Sequence, residues 1–434
     1  MTRRLYSLLM WLVQPFLRRK LVRRGVQEPG YLQAVEERFG RYSASAPEPD
    51  GHTVWVHAVS LGETRAAALL VARLRQRLPG MRLLLTHGTA TGRAEGVKLL
   101  QPGDIQCWQP WDATAPVARF LDYFRPRIGI LMETELWPNL VAGCARSGVP
   151  LVLANARLSE KSWRLTRHLA WLARPAYRSL SAVWAQTQDD ATRLAFVGAS
   201  VQGVFGNLKF DAMPDPAQLA KGRAWRHKIG RAVVMFASSR DAEEAALLRI
   251  LADRATLGAD PAAHAVQWLI VPRHPQRFDA VATLIEEQGF RVSRCSLWAD
   301  GPPADGDAQD ARAVVWLGDS LGEMALYYGL ADVALLGGSF EPLGGQNLIE
   351  ATACACPVVM GPHTFNFAEA AELALTAGAA QRADDLAGAV TMAAVLAQNE
   401  EGLQTARRAA GTFTRAHQGA LERTVEAILL AVRT

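Results

Sequence analysis

Short apolar segments alternate with amphipathic ones along most of this chain, and the alternation limits the fold more tightly than any single motif does. Residues 64–77, 114–124 and 165–180 are amphipathic at helical spacing. This alternation is typical of a parallel β-sheet with helices on both faces, and it predicts an α/β fold. The first set of apolar segments covers residues 53–57, 81–86, 105–109, 128–132, 151–155, 182–186 and 201–205.

The same pattern begins again in the second half of the chain. A break near residues 206–222, which contain Pro214 and Pro216, separates the two sets, and 434 residues are enough for two cores. We therefore expect two doubly wound domains, whose strand-end loops face each other across a cleft. The predicted division is an N-terminal segment 1–25, a first domain 26–212 and a second domain 213–434. The second set of strands is predicted at residues 232–237, 267–271, 313–317, 333–336 and 357–360.

The positive charge of the chain is concentrated at its N-terminus. The formal net charge is +5, yet residues 1–25 hold seven basic residues and no acidic one, so the rest of the chain carries slightly more acidic than basic residues. A nucleic acid is therefore not expected as a partner. The five cysteines lie in apolar stretches without the paired spacing of a metal site, which predicts reduced core residues.

Between the basic clusters, residues 5–17 form an apolar stretch that contains Pro15. A span across a bilayer needs roughly 20 apolar residues, so this stretch is too short for a transmembrane helix. Leucines and aromatic residues flanked by arginines are typical of a helix that lies in an anionic membrane surface. The alternative is an ordinary helix packed on the body of the protein.

A glycine-rich segment at residues 337–351, GGSFEPLGGQNLIEA, follows an apolar strand and leads into a helix. Glycines allow a backbone to approach a phosphate, and the start of a helix carries roughly half a positive charge. The segment therefore predicts a phosphate site, with Glu350 placed to accept hydrogen bonds from a ribose. The alternative is a plain strand-to-helix turn.

Three polar side chains follow strands of the first predicted domain. Glu63 has capping-box spacing from Ser60, so it either caps a helix or acts as a general base. Glu133 follows the fourth strand together with Glu135. Two carboxylates beside apolar residues are costly unless they bind something, although helix capping explains one of them. Lys209 lies at the domain junction, where it meets a substrate anion or is a solvated linker residue.

The second predicted domain carries its polar residues at strand ends as well. Arg273 stands between Pro272 and Pro275, which hold it rigidly enough to meet a phosphate. The turn 318–324, GDSLGEM, has a backbone suited to lining a nucleotide base. His363 alone is more typical of a structural than of a catalytic histidine.

Taken in order, these segments resemble the 3-deoxy-D-manno-octulosonic acid (Kdo) transferases of lipopolysaccharide synthesis. The shared motifs are the basic apolar N-terminus, SLGE, METELWPN, NARLSEKS, GNLKFD, VPRHPQRF, GDSLGEM, GGQNLIEA and GPHTFNF. The resemblance implies a GT-B glycosyltransferase with two Rossmann-like domains. It also implies CMP-Kdo as donor, lipid IVA as acceptor, inversion at the anomeric carbon, and a place on the cytoplasmic face of the bacterial inner membrane.

The resemblance also assigns residues. Glu63 matches the family's proton acceptor, and Glu133 and Lys209 match residues that stabilise the transition state. Two positions depart from the family pattern: Gln346 replaces a histidine, and residues 238–241 read SSRD instead of a Ser-Thr-His-Glu type run. The matches to CMP-binding positions are Pro272, Arg273, Leu321, Gly322, Glu323, Asn347, Leu348, Ile349 and Glu350.

These residues suit an inverting transfer, in which a base takes the acceptor proton and positive groups hold the leaving phosphate. No Asp-x-Asp cluster stands at a strand end, so neither a metal nor a cofactor is predicted. Two other functions remain open. One is an inverting GT-B transferase or epimerase that uses a UDP-sugar. The other is a non-catalytic, membrane-bound nucleotide sensor.

Overall fold

A computed structural model describes residues 2–43, 51–257, 266–303 and 313–433. The chain divides into two compact units. The first comprises Met1–Asp211 together with Gln418–Thr434, and the second comprises Ala212–His417. Each unit is built around its own parallel sheet, as predicted.

The first unit alternates strands and helices after an N-terminal helix. Its sheet has the order β3-β2-β1-β4-β5-β6-β7, and all of its strand pairs are parallel. The elements are α1 (Thr2–Gln27), β1 (Thr53–His57), α2 (Leu61–Arg77), β2 (Arg82–His87), α3 (Ala90–Gly96), β3 (Ile105–Trp108), α4 (Thr114–Phe124), β4 (Ile128–Met132), α5 (Pro138–Arg146), β5 (Leu151–Ala156), α6 (Glu160–His168), α7 (Ala170–Arg178), β6 (Ala182–Ala185), α8 (Gln188–Phe196) and β7 (Val201–Val204).

Both faces of the first sheet are covered, which explains why its central strands are continuous apolar runs. In β1 every residue is buried, with Val54 and Val56 in one hydrophobic cluster and Trp55 in another. Successive side chains of a strand point to opposite faces, so these two clusters lie on the two sides of the sheet. One amphipathic stretch, predicted as a single helix over 165–180, is divided at Leu169 into α6 and α7.

The second unit repeats the architecture. Its sheet has the order β10-β11-β9-β8-β12-β13-β14, again with parallel pairs throughout. The elements are α9 (Pro216–His227), β8 (Ala232–Ser239), α10 (Glu243–Leu257), β9 (Val266–Pro272), α11 (Phe278–Glu287), β10 (Arg291–Arg294), β11 (Val314–Leu317), α12 (Met324–Leu330), β12 (Val333–Leu336), α13 (Leu348–Ala353), β13 (Val358–Met360), α14 (Ala368–Thr376), β14 (Ala380–Arg382), α15 (Leu386–Gln398) and α16 (Glu400–His417).

Two strands of this sheet are absent from the sequence prediction, which finds five strands in the second half of the chain. They are the edge strands β10 and β14, with the sequences RVSR and AQR. An edge strand has a neighbour on one side only and is incompletely covered, so its side chains need not be apolar. Hydrophobic patterning therefore detects the central strands and misses these two.

The N-terminal helix α1 is packed on the first unit rather than standing apart as a separate segment. Leu21 is buried, and Arg18 lies 3.8 Å from the centre of the Phe39 ring while its guanidinium pairs with Glu36 at 2.8 Å. Ser7 donates to Asn139 Oδ1 at 2.9 Å. The helix is continuous through Pro15 and ends at Gln27, two residues beyond the predicted bound.

The predicted end of the second domain, residue 434, is wrong. A last helix, α17 (Ala420–Arg433), returns to the first unit and packs on α2. Val425 and Ile428 are fully buried in the cluster that also holds Val54 and Val56. Burial of such a side chain contributes about 1.5–3 kcal/mol, so the apolar face of α17 favours the first unit.

The start of α17 is held by the carboxylate of Asp211, the last residue of the first chain segment of this unit. Asp211 accepts the N–H groups of Gly419 at 2.6 Å and Leu421 at 2.8 Å. These are amides that a helix cannot satisfy internally, and a negative charge at this end also suits the helix dipole. Asp211 thereby joins the end of the first chain segment to the returning helix.

We expect Asp211→Ala to loosen α17 by about 1 kcal/mol, the usual cost of losing a helix cap. Hydrogen exchange should rise in residues 420–433 and remain unchanged in the second unit. Asp215 is a matched control because it caps α9 through Ala217 and Gln218 in the second unit. Equal protection of α17 in Asp211→Ala and Asp215→Ala would contradict this role for Asp211.

Candidate functional site

The sheet order places two of the predicted catalytic residues side by side. Strands β1 and β4 are neighbours in the sheet. After β1 the chain continues to β2 on one side of this pair, and after β4 it continues to β5 on the other side. Ligands of doubly wound folds bind at the carboxyl ends of strands at such a switch point. Glu63 lies in the first turn of α2, after β1, and Glu133 directly follows β4. Both carboxylates therefore lie at the switch point of the first sheet.

Glu63 is nearly buried and caps α2, which is one of the two roles that its capping-box spacing predicts. Its N–H donates to Ser60 Oγ at 3.4 Å, and its Oε2 accepts the N–H of Val59 at 2.5 Å. The pKa of Glu63 is nevertheless raised from 4.5 to about 7, first because burial penalises the charged form and second because Glu133 repels it. A cap with this pKa can also exchange a proton near neutral pH.

Glu133 and Lys209 form an ion pair, with 3.1 Å between Lys209 Nζ and Glu133 Oε1. The Glu133 side chain is 14% exposed and the Lys209 side chain 29% exposed. Glu133 adopts a left-handed backbone conformation with φ of 59°. Such conformations are costly for residues other than glycine and cluster at functional sites. The structure thus brings Glu63, Glu133 and Lys209 into one group within the first unit.

Asn155 holds Lys209 in this place, a role that its sequence position did not predict. Lys209 follows β7 at the edge of the sheet, whereas Glu133 follows β4 near the centre. Asn155, at the end of β5, accepts the N–H of Leu208 on its Oδ1 at 3.0 Å, and Leu208 is fully buried. This contact fixes the backbone next to Lys209. The signal in the sequence was an asparagine at the end of a predicted strand. In the structure Asn155 has a φ of 52°, a left-handed conformation.

In the second unit the predicted nucleotide-binding residues follow strands that are adjacent in the sheet. The order β11-β9-β8-β12 places four carboxyl ends in a row. Pro272 ends β9 and Arg273 follows it, while the turn with Leu321, Gly322 and Glu323 follows β11. The segment 337–347 follows β12 and precedes α13. These residues therefore lie at the carboxyl end of the second sheet.

Several amides of the glycine-rich turn are hydrogen-bonded within the second unit. Glu243 accepts the N–H of Gly338 with both carboxylate oxygens, at 2.9 and 2.8 Å, and is also hydrogen-bonded to the N–H of Phe340. The N–H of Gly345 donates to Gly338 O at 2.7 Å, and Gly338 itself has a φ of 69°. The glycines thus allow a tight turn whose amides bind the protein itself.

Positive charge in this region comes from side chains instead. The pKa of His274 is lowered by burial and then by the charges of Arg240, Arg273 and Arg277. Arg277 pairs with Asp241 at 2.8 Å. Arg240 forms no ion pair with any residue that the structure describes. Arg240 is therefore a candidate anion ligand that sequence analysis noted only as a departure from the family pattern.

The start of α13 is capped locally. Asn347 Oδ1 accepts the N–H of Ile349 at 3.1 Å, and Asn347 Nδ2 donates to Glu350 Oε1 at 3.0 Å. Leu348 and Ile349 are buried, whereas Glu350 is exposed. Of the predicted binding residues in this segment, the side chains of Asn347 and Glu350 are thus polar and interact with each other, and those of Leu348 and Ile349 belong to the core.

In the turn after β11, Leu321 is 79% exposed and Gly322 has a φ of 84°. Ser320 donates a hydrogen bond to the Glu323 carboxylate, and Gln218 of α9 donates to Gly322 O at 3.0 Å. The turn is therefore held from both ends while an apolar side chain projects from it. Such a side chain suits contact with a flat nucleotide base.

Comparisons with known proteins agree with this architecture. The crystal structure of UDP-GlcNAc 2-epimerase from Neisseria meningitidis bound to UDP-GlcNAc superposes with a TM-score of 0.55 and 14% identity, covering 87% of this chain and 99% of that one. A glycosyltransferase from Rickettsia africae gives a TM-score of 0.51 and 13% identity, covering 87% and 98%. At these identities the comparison shows the fold alone, and it confirms two parallel-sheet α/β domains of the GT-B class.

Sequence comparison is more specific. A family model described as 3-deoxy-D-manno-octulosonic-acid transferase (kdotransferase) matches residues 33–212. The 3-deoxy-D-manno-octulosonic acid transferase of Bordetella pertussis is 46% identical over 397 residues, which cover 90% of this chain and 90% of that protein. The chain therefore belongs to the 3-deoxy-D-manno-octulosonic acid (Kdo) transferases, a family of glycosyltransferase enzymes.

Proposed function

We propose that this enzyme transfers Kdo from CMP-Kdo to the primary hydroxyl of a glucosamine in lipid IVA, with inversion, during lipopolysaccharide synthesis. The observation that carries the proposal is the group of Glu63, Glu133 and Lys209 at the switch point of the first sheet, in a chain of this family. Membership of the family supports Kdo as the transferred sugar. Glu63 is a base whose pKa of about 7 suits the reaction.

In the proposed reaction, the acceptor hydroxyl oxygen attacks the anomeric carbon of Kdo. A new carbon–oxygen bond forms as the bond from that carbon to the CMP phosphate breaks, and the hydroxyl proton passes to Glu63. A general base works best when its pKa lies near the working pH, and the pKa of Glu63 is about 7. Lys209 offsets the charge of Glu133 at 3.1 Å, which limits the repulsion that would raise the pKa of Glu63 further.

CMP leaves with a negatively charged phosphate, so the donor site needs positive charge. Arg240 and Arg273 supply it at the carboxyl ends of β8 and β9. Guanidinium groups bind phosphate oxygens through paired, charge-assisted hydrogen bonds. We assign Asn347 and Glu350 to the nucleoside part of CMP, because they are the polar side chains at the start of α13.

We also propose that α1 binds the cytoplasmic face of the inner membrane, where a lipid acceptor is found. No helix in the described part of the chain is long and apolar enough to span a bilayer. The outward side of α1 nevertheless exposes a set of large apolar side chains, which a water-soluble surface rarely gathers in one place. They are Leu5, Leu8, Leu9, Trp11, Leu12 and Phe16.

We expect Glu63→Gln to lower the transfer rate by about 10²–10⁴, the usual effect of losing a general base. In the native enzyme, kcat/KM should fall as pH drops through about 7, because protonated Glu63 cannot accept a proton. Both are measured on detergent-dispersed acceptor. Glu160→Gln is a matched control, since Glu160 is an exposed carboxylate of the same unit that pairs with Arg164.

The same substitution separates catalysis from capping. Because the folded pKa of Glu63 lies above its ordinary value, its ionisation destabilises the fold as pH rises through about 7. Glutamine removes this cost and keeps an acceptor for Val59, so the melting temperature at pH 8 should not fall. A variant that is less stable but fully active when folded would show that Glu63 serves only as a cap.

We expect Arg273→Ala to weaken CMP binding by about 1.5–3 kcal/mol, the range for a hydrogen bond to a charged group. Isothermal titration calorimetry with CMP measures the effect. Arg249→Ala is the control, since Arg249 is an exposed arginine on α10 that donates a hydrogen bond to Ala245 O of the same helix. Unchanged CMP affinity in Arg273→Ala would place the nucleotide elsewhere.

We expect replacement of Leu9, Leu12 and Phe16 by serine to reduce binding to anionic vesicles and to raise the apparent KM for vesicle-embedded acceptor. Each buried apolar side chain contributes about 1.5–3 kcal/mol to membrane insertion. Activity on detergent-dispersed acceptor should change far less. A triple serine variant at Phe196, Val395 and Leu430, which are also exposed, tests whether any loss of apolar surface has this effect. Equal flotation of both variants with vesicles would contradict the proposal.

The product identifies the reaction most directly. Incubation with lipid IVA and a CMP-Kdo generating system should yield a product whose mass is greater by one or more Kdo residues, with release of CMP. Use of a UDP-sugar with release of UDP would support the transferase or epimerase alternative. CMP binding without any product would support a nucleotide sensor.

A further inference from the structure

A cavity of about 280 Å³ lies in the first unit, between the N-terminal turn of α1 and the helices α5 and α7. It is separate from the group of Glu63, Glu133 and Lys209, none of which lines it. Six of its lining residues fall into a charged and an apolar set: Arg3, Arg4, Pro138, Trp171, Leu172 and Pro175.

The charged set consists of two arginines, Arg3 and Arg4. Arg3 and Arg4 are exposed, and neither forms an ion pair with a residue that the structure describes. None of the described residues that line the cavity is acidic. Both arginines lie in the first turn of α1, where the helix dipole is already positive and cations are unfavourable. An anion at this position relieves the repulsion between the two guanidinium groups and the helix end.

The apolar set forms a wall next to these charges. Trp171, Leu172 and Pro175 come from α7, and Trp171 is 48% exposed. Leu165 and Leu169, which precede α7 in sequence, are also exposed. A free inorganic anion gains nothing from such a wall. A molecule with a phosphate joined to an apolar part contacts both sets.

We propose that this cavity binds the headgroup of an anionic membrane phospholipid, with its phosphate at Arg3 and Arg4 and the start of its acyl chains against Trp171, Leu172 and Pro175. The inference rests on the proposed membrane binding of α1 and adds a discrete lipid site to it. A phospholipid is the occupant because the cavity adjoins the helix that exposes Leu5, Leu8 and Leu9. The site would fix the rotation of α1 on the membrane surface, which a diffuse charge attraction does not.

The test measures binding of dihexanoylphosphatidylglycerol, below its micelle concentration, to the full chain by isothermal titration calorimetry. We expect saturable binding that weakens about ten-fold or more in the double variant Arg3→Gln/Arg4→Gln, which loses two charge-assisted hydrogen bonds. Arg3→Lys/Arg4→Lys, which keeps the charges, should retain more of the affinity. Thermal unfolding of each variant establishes that it is folded.

Two matched controls distinguish a site from general attraction. Arg19→Gln/Arg23→Gln removes the same charge from exposed positions of α1 that do not line the cavity, and it should leave the affinity unchanged. Trp171→Ser should weaken binding, whereas Leu165→Ser, an exposed apolar residue outside the lining, should not. Inorganic phosphate at the same concentration should not bind.

Equal weakening by both double arginine variants would show diffuse charge attraction and overturn the proposal. So would binding of inorganic phosphate as tight as that of the lipid, or an unchanged affinity in Trp171→Ser. Binding of lipid IVA that depends on Arg3 and Arg4, with no binding of the phosphatidylglycerol, would assign the cavity to the acceptor instead. Since the measurement uses no sugar donor, its failure and a failure of the proposed Kdo transfer are seen in separate experiments.

Discussion

The parallel direction of every strand pair determines where this protein can place a functional site. Because parallel strands run in the same direction, all their carboxyl ends lie at the same end of the sheet. A crossover connection after each strand returns the chain to the opposite end. In the first sheet the chain diverges between β1 and β4, and Glu63 and Glu133 are the residues that follow those strands. In the second sheet it diverges between β8 and β12, which are followed by Arg240 and by the glycine-rich turn. The two candidate groups therefore occupy the same topological position in their respective units.

Within the first unit, electrostatics turns an ordinary helix cap into a group that can accept a proton. A carboxylate at a helix N-terminus normally keeps a low pKa, because amides and the helix dipole favour its charge. Glu63 keeps its amide contact, yet burial and the neighbouring Glu133 outweigh that contact and raise its pKa to about 7. Lys209 offsets Glu133 and is itself positioned through Asn155 and Leu208. One side chain can therefore both cap a helix and accept a proton. Burial and the charge of Glu133 give Glu63 the second ability by raising its pKa.

In the second unit, the hydrogen bonds of the glycine-rich turn could not be foreseen from its own sequence. Its glycines adopt conformations open to few other residues, but Glu243 from α10 accepts the amides of Gly338 and Phe340. The positive charge of this region is carried by side chains, among them Arg240 and Arg273. The Glu243 carboxylate thereby stabilises the conformation of the turn from within the second unit.

The amino-acid sequence alone predicts the α/β class, the two sheets and most central strands, because strands buried on both faces must be apolar along their whole length. It also determined the candidate residues at strand ends, since turn chemistry and charge next to an apolar run are local signals. The packing of α17 and α1 on the first unit, and the addition of β10 and β14 to the second sheet, follow from the three-dimensional fold. The fold likewise decided the partners of Lys209, Asn155 and Glu243, which lie 76, 53 and 95 residues away in sequence. Contacts across such separations depend on how whole elements pack, and periodicity within a short window carries no information about them.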